Sequence, residues 1–185
     1  CLLLPLTNLH AEELLWKFEP GKRIGPITAF SSLSTLQALF GRDNVKDGKL
    51  PAAEGETVDG AKIKVGEGRE LEVIWEFNAV GKRIAEVSLV GNAWKLENGL
   101  RLGIGIEEVE KINGKPFKIA GFSWDYGGFA NFEGGKLAAK VSIRFNPSTD
   151  DIPEYLQGDK ELSSTDKKLR AVKPLVEEGI TVFMR

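Results

Sequence analysis

Apolar and polar positions along the chain fall into short runs, some repeating every second residue and some every three to four. Leu14-Leu15-Trp16-Lys17-Phe18 reads as a short strand ended by Pro20-Gly21, and a loop runs from Lys22 to Thr28. Ser31-Ser32 then caps a helix with Leu33, Leu36, Leu39 and Phe40 on one face, and Gly41 supplies its left-handed stop. The polar, glycine-rich stretch from Arg42 to Gly60 predicts a weak strand near Val45 and a long loop. Three β runs follow: 61–65, 71–77 with Leu71, Val73, Trp75 and Phe77 on one face, and 84–90.

The helical period then returns. Leu102-Gly103-Ile104-Gly105 leads into a helix from Ile106 to Asn113 that stops at Gly114. Its buried stripe is Ile106, Val109 and Ile112, and Glu107 and Lys111 form an i,i+4 pair on the wet side. Strands are expected at 116–124, 129–132 and 140–145, with Gly134-Gly135 marking a turn. A polar insertion from Asn146 to Asp159 precedes a short helix from Asp166 to Val172, ended by Pro174, and a last strand from Ile180 to Met184.

Helix, glycine and a run of strands thus occur twice. Aligning Gly41 with Gly114 superposes Leu33 on Ile106, Leu36 on Val109 and Leu39 on Ile112. The elements predict an α+β fold, an antiparallel sheet with two or three short helices packed on it, built as two helix-then-strands repeats in tandem. The repeats span 12–95 and 96–185 and form a single compact unit.

The segment Leu102-Gly103-Ile104, Glu108-Val109 and Asn113-Gly114-Lys115-Pro116 resembles the helix signature of the β-lactamase-inhibitor-protein fold. Small outer-membrane lipoproteins of the SmpA/OmlA type share that unit, and the inhibitor protein carries it in tandem. The first repeat departs from the pattern, with Leu36 in place of the valine and Arg42-Asp43 after Gly41 without a proline. The whole chain, with the segment Gly121 to Gly128, also resembles a set of uncharacterised exported bacterial proteins. The resemblance implies a fold and an envelope compartment, and no activity.

Composition narrows the chemistry. Across 185 residues the net charge is −2, which argues against a nucleic-acid binder that relies on a basic field. The chain has one cysteine, Cys1, and one histidine, His10, both at its start. Cys1-Leu2-Leu3-Leu4-Pro5-Leu6, then a polar stretch ending at Ala11 before Glu12-Glu13, has the pattern of the later part of a secretory signal peptide. Residues 1–11 are therefore expected to be removed by cleavage after Ala11, leaving a periplasmic or secreted protein. A leading cysteine also suits the lipid-bearing first residue of a lipoprotein, and residues 2–6 also suit an apolar strand. Residues 12–185 hold no cysteine or histidine, which excludes Cys–His and Ser–His–Asp catalysis and histidine-ligated metals there. No later stretch approaches the ~20 apolar residues of a membrane span.

The most distinctive segment is Trp124-Asp125-Tyr126-Gly127-Gly128. Two aromatics flanking a carboxylate beside a glycine turn suit a recognition surface for sugar or protein, and they also suit an ordinary hairpin with Phe122 and Trp124 facing inward. Trp16, Trp75 and Trp94 read as core, and Trp94, between Gly91 and Gly99, is the one that joins the candidate binding residues.

Other motifs fall away. Gly103-Ile104-Gly105 lacks the third glycine and the βαβ unit of a dinucleotide site. Ser164-Thr165-Asp166-Lys167 matches Ser-x-x-Lys, yet the Lys-Thr-Gly companion is absent, and the Ser-Ser-Thr run suits a helix cap. Glu107, Glu108, Asp125 and Glu133 are carboxylates for histidine-free hydrolysis, but no spacing sets two of them across a cleft. Basic doublets such as Lys22-Arg23 are separated by acids and read as solvated loops.

The resulting expectation is an exported envelope binding module, inhibitor or assembly accessory. It uses no cofactor, and its partner is another envelope protein or a cell-wall component. Its contact surface is a concave sheet face carrying exposed aromatics, centred on Trp124 and Tyr126, with Asp125 and Trp94 as further candidate binding residues. Two competitors remain: a carboxylate hydrolase acting on an envelope polymer, and a structural lipoprotein tethered through Cys1.

Overall fold

The computed structural model describes residues 17–19, 21–52, 55–78 and 81–184. The expected signal segment, the strand expected from Leu14 and the expected core role of Trp16 lie outside the described residues. The chain is an α+β protein whose described residues form three antiparallel sheets and three α-helices. Strands β1 (Phe18–Glu19), β2 (Arg23–Ile24) and β3 (Ile27–Thr28) make a small meander. Helix α1 (Leu33–Phe40) follows. Strands β4 (Val45–Pro51), β5 (Thr57–Gly66), β6 (Arg69–Asn78) and β7 (Gly81–Val90) then run as successive hairpins. Helix α2 (Ile106–Asn113) opens the second half, followed by β8 (Lys118–Ala120), β9 (Ala130–Asn131) and β10 (Val141–Asn146). Strand β11 (Glu161–Ser163), helix α3 (Lys167–Ala171) and β12 (Leu175–Phe183) close the chain.

The main sheet has the order β10-β12-β7-β6-β5-β4. Strand β12 pairs with β7 on one side and β10 on the other, so the two halves of the chain share one sheet. Alternation decides which side is dry. Ile63, Leu71, Leu89 and Ile180 lie opposite one another across four strands and are all buried, as are Ala61, Val73, Val87 and Val182 in the next row. The other face carries Lys62, Glu72, Ser88 and Thr181 in register, where the Lys62 ammonium meets the Glu72 carboxylate at 2.9 Å. Leu36 from α1 and Ile106 and Val109 from α2 complete the same core.

Both helices begin where the pattern placed them. The Ser32 hydroxyl accepts the Thr35 N–H at 3.1 Å, satisfying one of the orphan donors of the first turn. Gly41 and Gly114 end the helices at positive φ, 88° and 82°, each donating its N–H to the carbonyl four residues back. The apolar face of α1 is narrower than the spacing predicts. Leu33, Leu36 and Phe40 pack inward, whereas Leu39 is 42% exposed. It sits about a quarter turn round the axis from that stripe, and α1 packs against β4 and β5 at the sheet margin.

Several elements differ from the sequence expectation. The stretch from Arg42 to Gly60 is mostly strand rather than loop. As an edge strand, β4 buries only Val45 and Leu50, which erases the alternation by which strands are read. Phe77 is 66% exposed because the β6–β7 hairpin runs past the core and pairs it with Lys82 near the tip. The expected strand 116–124 shortens to β8, since the chain leaves the sheet at Gly121, and the strand before α3, β11, was not anticipated. Asp166, not the Ser-Ser-Thr run, caps α3 by accepting the Lys168 N–H. Ser164 is instead buried, and its hydroxyl accepts the Phe117 N–H at 3.0 Å, fastening β11 to β8. On α2, Glu107 pairs with Arg170 at 3.6 Å rather than with Lys111.

Candidate functional site

The third sheet, β11-β8-β9, forms the floor of a surface groove. Its register sets Ser163 and Asn131 on either side of Lys118, and Glu161 beside Ala120. Ile119 and Leu162, between these positions, turn into the core. Strand β8 is hydrogen-bonded on both sides, so the centre of the floor offers side chains rather than free backbone, and the sheet's edges lie at β11 and β9.

The segment 121–129 builds one wall. Phe122 leaves the sheet and is buried, its N–H bonded to the Leu156 carbonyl at 2.8 Å. Ser123 takes a positive φ of 64°, uncommon for a side-chain-bearing residue. The Trp124 indole N–H donates to the Gly121 carbonyl at 2.7 Å, which holds the ring half-buried beside its own loop. The Tyr126 ring meets that indole edge-on, centroids 5.4 Å apart and planes at 66°, and is 62% exposed. Gly127 donates to the Trp124 carbonyl and Gly128 to that of Ala120, closing the turn. A Cβ on Gly128 would collide with the Phe145 carbonyl, and its φ of 81° also requires glycine. This close approach docks the loop on β10, where the Phe145 N–H returns a bond to Gly128 at 2.8 Å.

Arg144, on β10, braces the wall from behind. Its Nε donates to the Gly127 carbonyl at 2.7 Å, Nη1 donates to Glu178 at 2.8 Å, and its guanidinium lies 5.4 Å from the Phe129 ring centroid. Glu178 reaches that position from a bulge in β12, at a φ of 65°. Phe129, 39% exposed, joins Trp124 and Tyr126 on the groove.

The groove holds about 450 Å³. Beyond the three rings it is bordered by Lys118, Asn131 and the run Asp159-Lys160-Glu161. A second depression of about 280 Å³ continues along the same sheet toward Lys115, Glu133 and Ser163, sharing Lys118, Asn131 and Glu161 with the first.

Of the residues singled out in the sequence, Trp124 and Tyr126 line the groove together. Asp125 is exposed on the turn between them and is not part of the lining. Trp94 lies elsewhere: it is 2% exposed, and its indole N–H donates to the carbonyls of Glu70 and Val90, each at 3.0 Å. It is a core residue, because those carbonyls satisfy its one polar atom inside the protein. Phe129, Arg144 and Asn131 were missed. Phe129 follows the glycine pair directly, and Arg144 is the polar position between Ile143 and Phe145; only pairing brings them together. The four carboxylates considered for hydrolysis do not share a cleft: Glu107 and Glu108 pair with Arg170 and Arg101, Asp125 sits on its turn, and Glu133 lines the second depression. Among the described residues no group of three histidine, cysteine or acidic side chains is placed to hold a metal ion. Nor is any described helix long and apolar enough to cross a membrane.

No family model matches this chain, and no curated protein matches it. Among solved structures, the uncharacterised protein YfeY from Escherichia coli is similar over 88% of this chain and 97% of its own, at 14% identity and a TM-score of 0.49.

Proposed function

We propose that this protein is an exported binding module of the cell envelope that works without catalysis, and that its contact surface is the groove on β11-β8-β9. The observation that carries this reading is the gathering of Trp124, Tyr126 and Phe129 on one groove, with Tyr126 and Phe129 exposed beyond what folding requires. Rings kept in water at fixed positions release apolar surface on contact and lose little conformational freedom, which is why aromatics dominate recognition surfaces. The apolar run before Ala11 supports export.

The test is capture from an envelope extract on immobilised protein, comparing the wild type with the Trp124→Ala/Tyr126→Ala double variant. A bound component lost from the double variant, while both proteins melt alike, is the expected result. Equal capture by both would overturn the reading. Cell fractionation checks export, with the protein expected outside the cytoplasm.

A further inference from the structure

We infer that the occupant of this groove is an uncharged oligosaccharide lying lengthwise along the outer face of β11-β8-β9. The inference rests on the binding-module reading and specifies its ligand. Three observations select this chemistry.

The first is charge. Lys118 and Lys160 are offset by Asp159 and Glu161, with the Asn131 amide among them. A groove for a polyanion or a basic peptide would carry one sign. Here donors and acceptors of both signs alternate around a neutral mean, an arrangement that suits hydroxyl and amide groups, which both give and accept hydrogen bonds.

The second is the rings. One side of Phe129 is taken by the Arg144 guanidinium, so the ring presents its remaining surface to the groove. Trp124 is pinned by its indole N–H, and Tyr126 stands edge-on to it. These are flat apolar plates set beside the polar groups of the groove, and they match the flat C–H faces of pyranose rings. A stable protein interface instead needs about 800 Å² per partner with few charges at its centre. Four charged side chains border this narrow groove.

The third is the floor. Strand β8, at the centre of the floor, is paired on both sides and meets a ligand through its side chains, the sheet's edges lying out at β11 and β9. The continuation past Lys118 and Glu161 into the second depression leaves room for a chain of several rings rather than a single one.

The experiment is a titration of the full chain with chito-, cello- and malto-oligosaccharides, followed by the indole N–H signals of its four tryptophans in ¹H–¹⁵N spectra. The expected result is saturable displacement of the Trp124 signal by at least one series, the Trp94 signal staying still. Tyr126→Ala and Phe129→Leu are each expected to weaken that binding about tenfold. Phe129→Leu keeps the apolar volume and removes the flat ring, so it separates loss of stacking from loss of fold. No displacement by any series, or displacement indifferent to both variants, overturns the inference. If the saccharides leave Trp124 unmoved while the Trp124→Ala/Tyr126→Ala variant still loses an envelope protein from the capture, the groove is a protein-binding one: the sugar inference fails and the binding-module reading stands. If both experiments are negative, both fall.

Discussion

Arg144→Ala is expected to loosen the wall of the groove by an amount that the contacts allow to be worked out. The guanidinium makes three interactions. Its Nε–H bond to the carbonyl of the buried Gly127 is a hydrogen bond from a charged donor, worth about 1.5–3 kcal/mol, part of it the cost of leaving that carbonyl without a partner. The Glu178 ion pair is short, but the Glu178 side chain is 54% exposed, so solvent screening limits it to about 0.2–1 kcal/mol. The contact with Phe129 adds about 0.5–1 kcal/mol. Together they amount to about 2–5 kcal/mol, dominated by the bond to Gly127. For a chain of this length that corresponds to a fall in Tm of about 4–20 °C. Arg144→Lys separates the contributions: a lysine keeps the charge near Glu178 but loses the planar fork that serves two acceptors at once, so it is expected to recover no more than about 1 kcal/mol. The assay is thermal unfolding by circular dichroism, with the Trp124 indole signal reporting on the loop. A fall in Tm below about 2 °C, or full recovery by lysine, would show that Arg144 does not brace the wall.

Four further outcomes follow from the packing. Gly128→Ala is expected to cost at least about 2 kcal/mol in urea unfolding, from its positive φ and the collision with Phe145, whereas Gly48→Ala, with open space around its Cβ position, changes the unfolding free energy by less than about 0.5 kcal/mol. Asn113→Ala is expected to cost about 2–3 kcal/mol in urea unfolding, because the buried amide donates to Lys115 and accepts the N–H of the buried Leu137. Leu36→Ala is expected to cost about 2–5 kcal/mol and Leu39→Ala little, and equal effects in thermal melts would contradict the assigned face of α1. The Glu72 carboxylate, by hydrogen bond and then by charge, raises the Lys62 ammonium above its ordinary 10.5. A raised lysine contributes its stability below the unfolded value and loses it as pH climbs through the folded one. The stability gap between wild type and Lys62→Gln is therefore expected to be small, to shrink above about pH 10.5, and to fade in about 1 M salt because Lys62 is exposed and Glu72 only half-buried; a gap independent of pH would contradict the pairing.

Much of the fold was legible because its causes are local. A serine directly before the apolar stripe and a glycine at its end delimit α1, and the stripe and its closing glycine delimit α2, without reference to the rest of the chain. The alternation in 61–65, 71–77 and 84–90 identifies β5 to β7, because each lies between two neighbours with one dry face. Strands β4 and β11 were not legible for the converse reason: an edge strand, or one of three residues, buries too few side chains to print a period.

For the site, the sequence alone determined that Trp124, Tyr126 and two glycines stand together, that residues 12–185 lack cysteine and histidine, and that reactive-thiol and imidazole chemistry is therefore closed to them. Only the tertiary structure decided which aromatics are recognition surface and which are core. Trp94 lies in a stretch between Gly91 and Gly99 that suits an exposed residue, yet it is buried, because the β6–β7 pairing presents two carbonyls to its indole. Phe129 and Arg144 are fifteen residues apart and acquire their roles only when Gly128 lets the loop touch β10. Pairing across sheets is a non-local choice among many registers, so the groove, assembled from 118–120, 124–131 and 159–161, exists only once that choice is made.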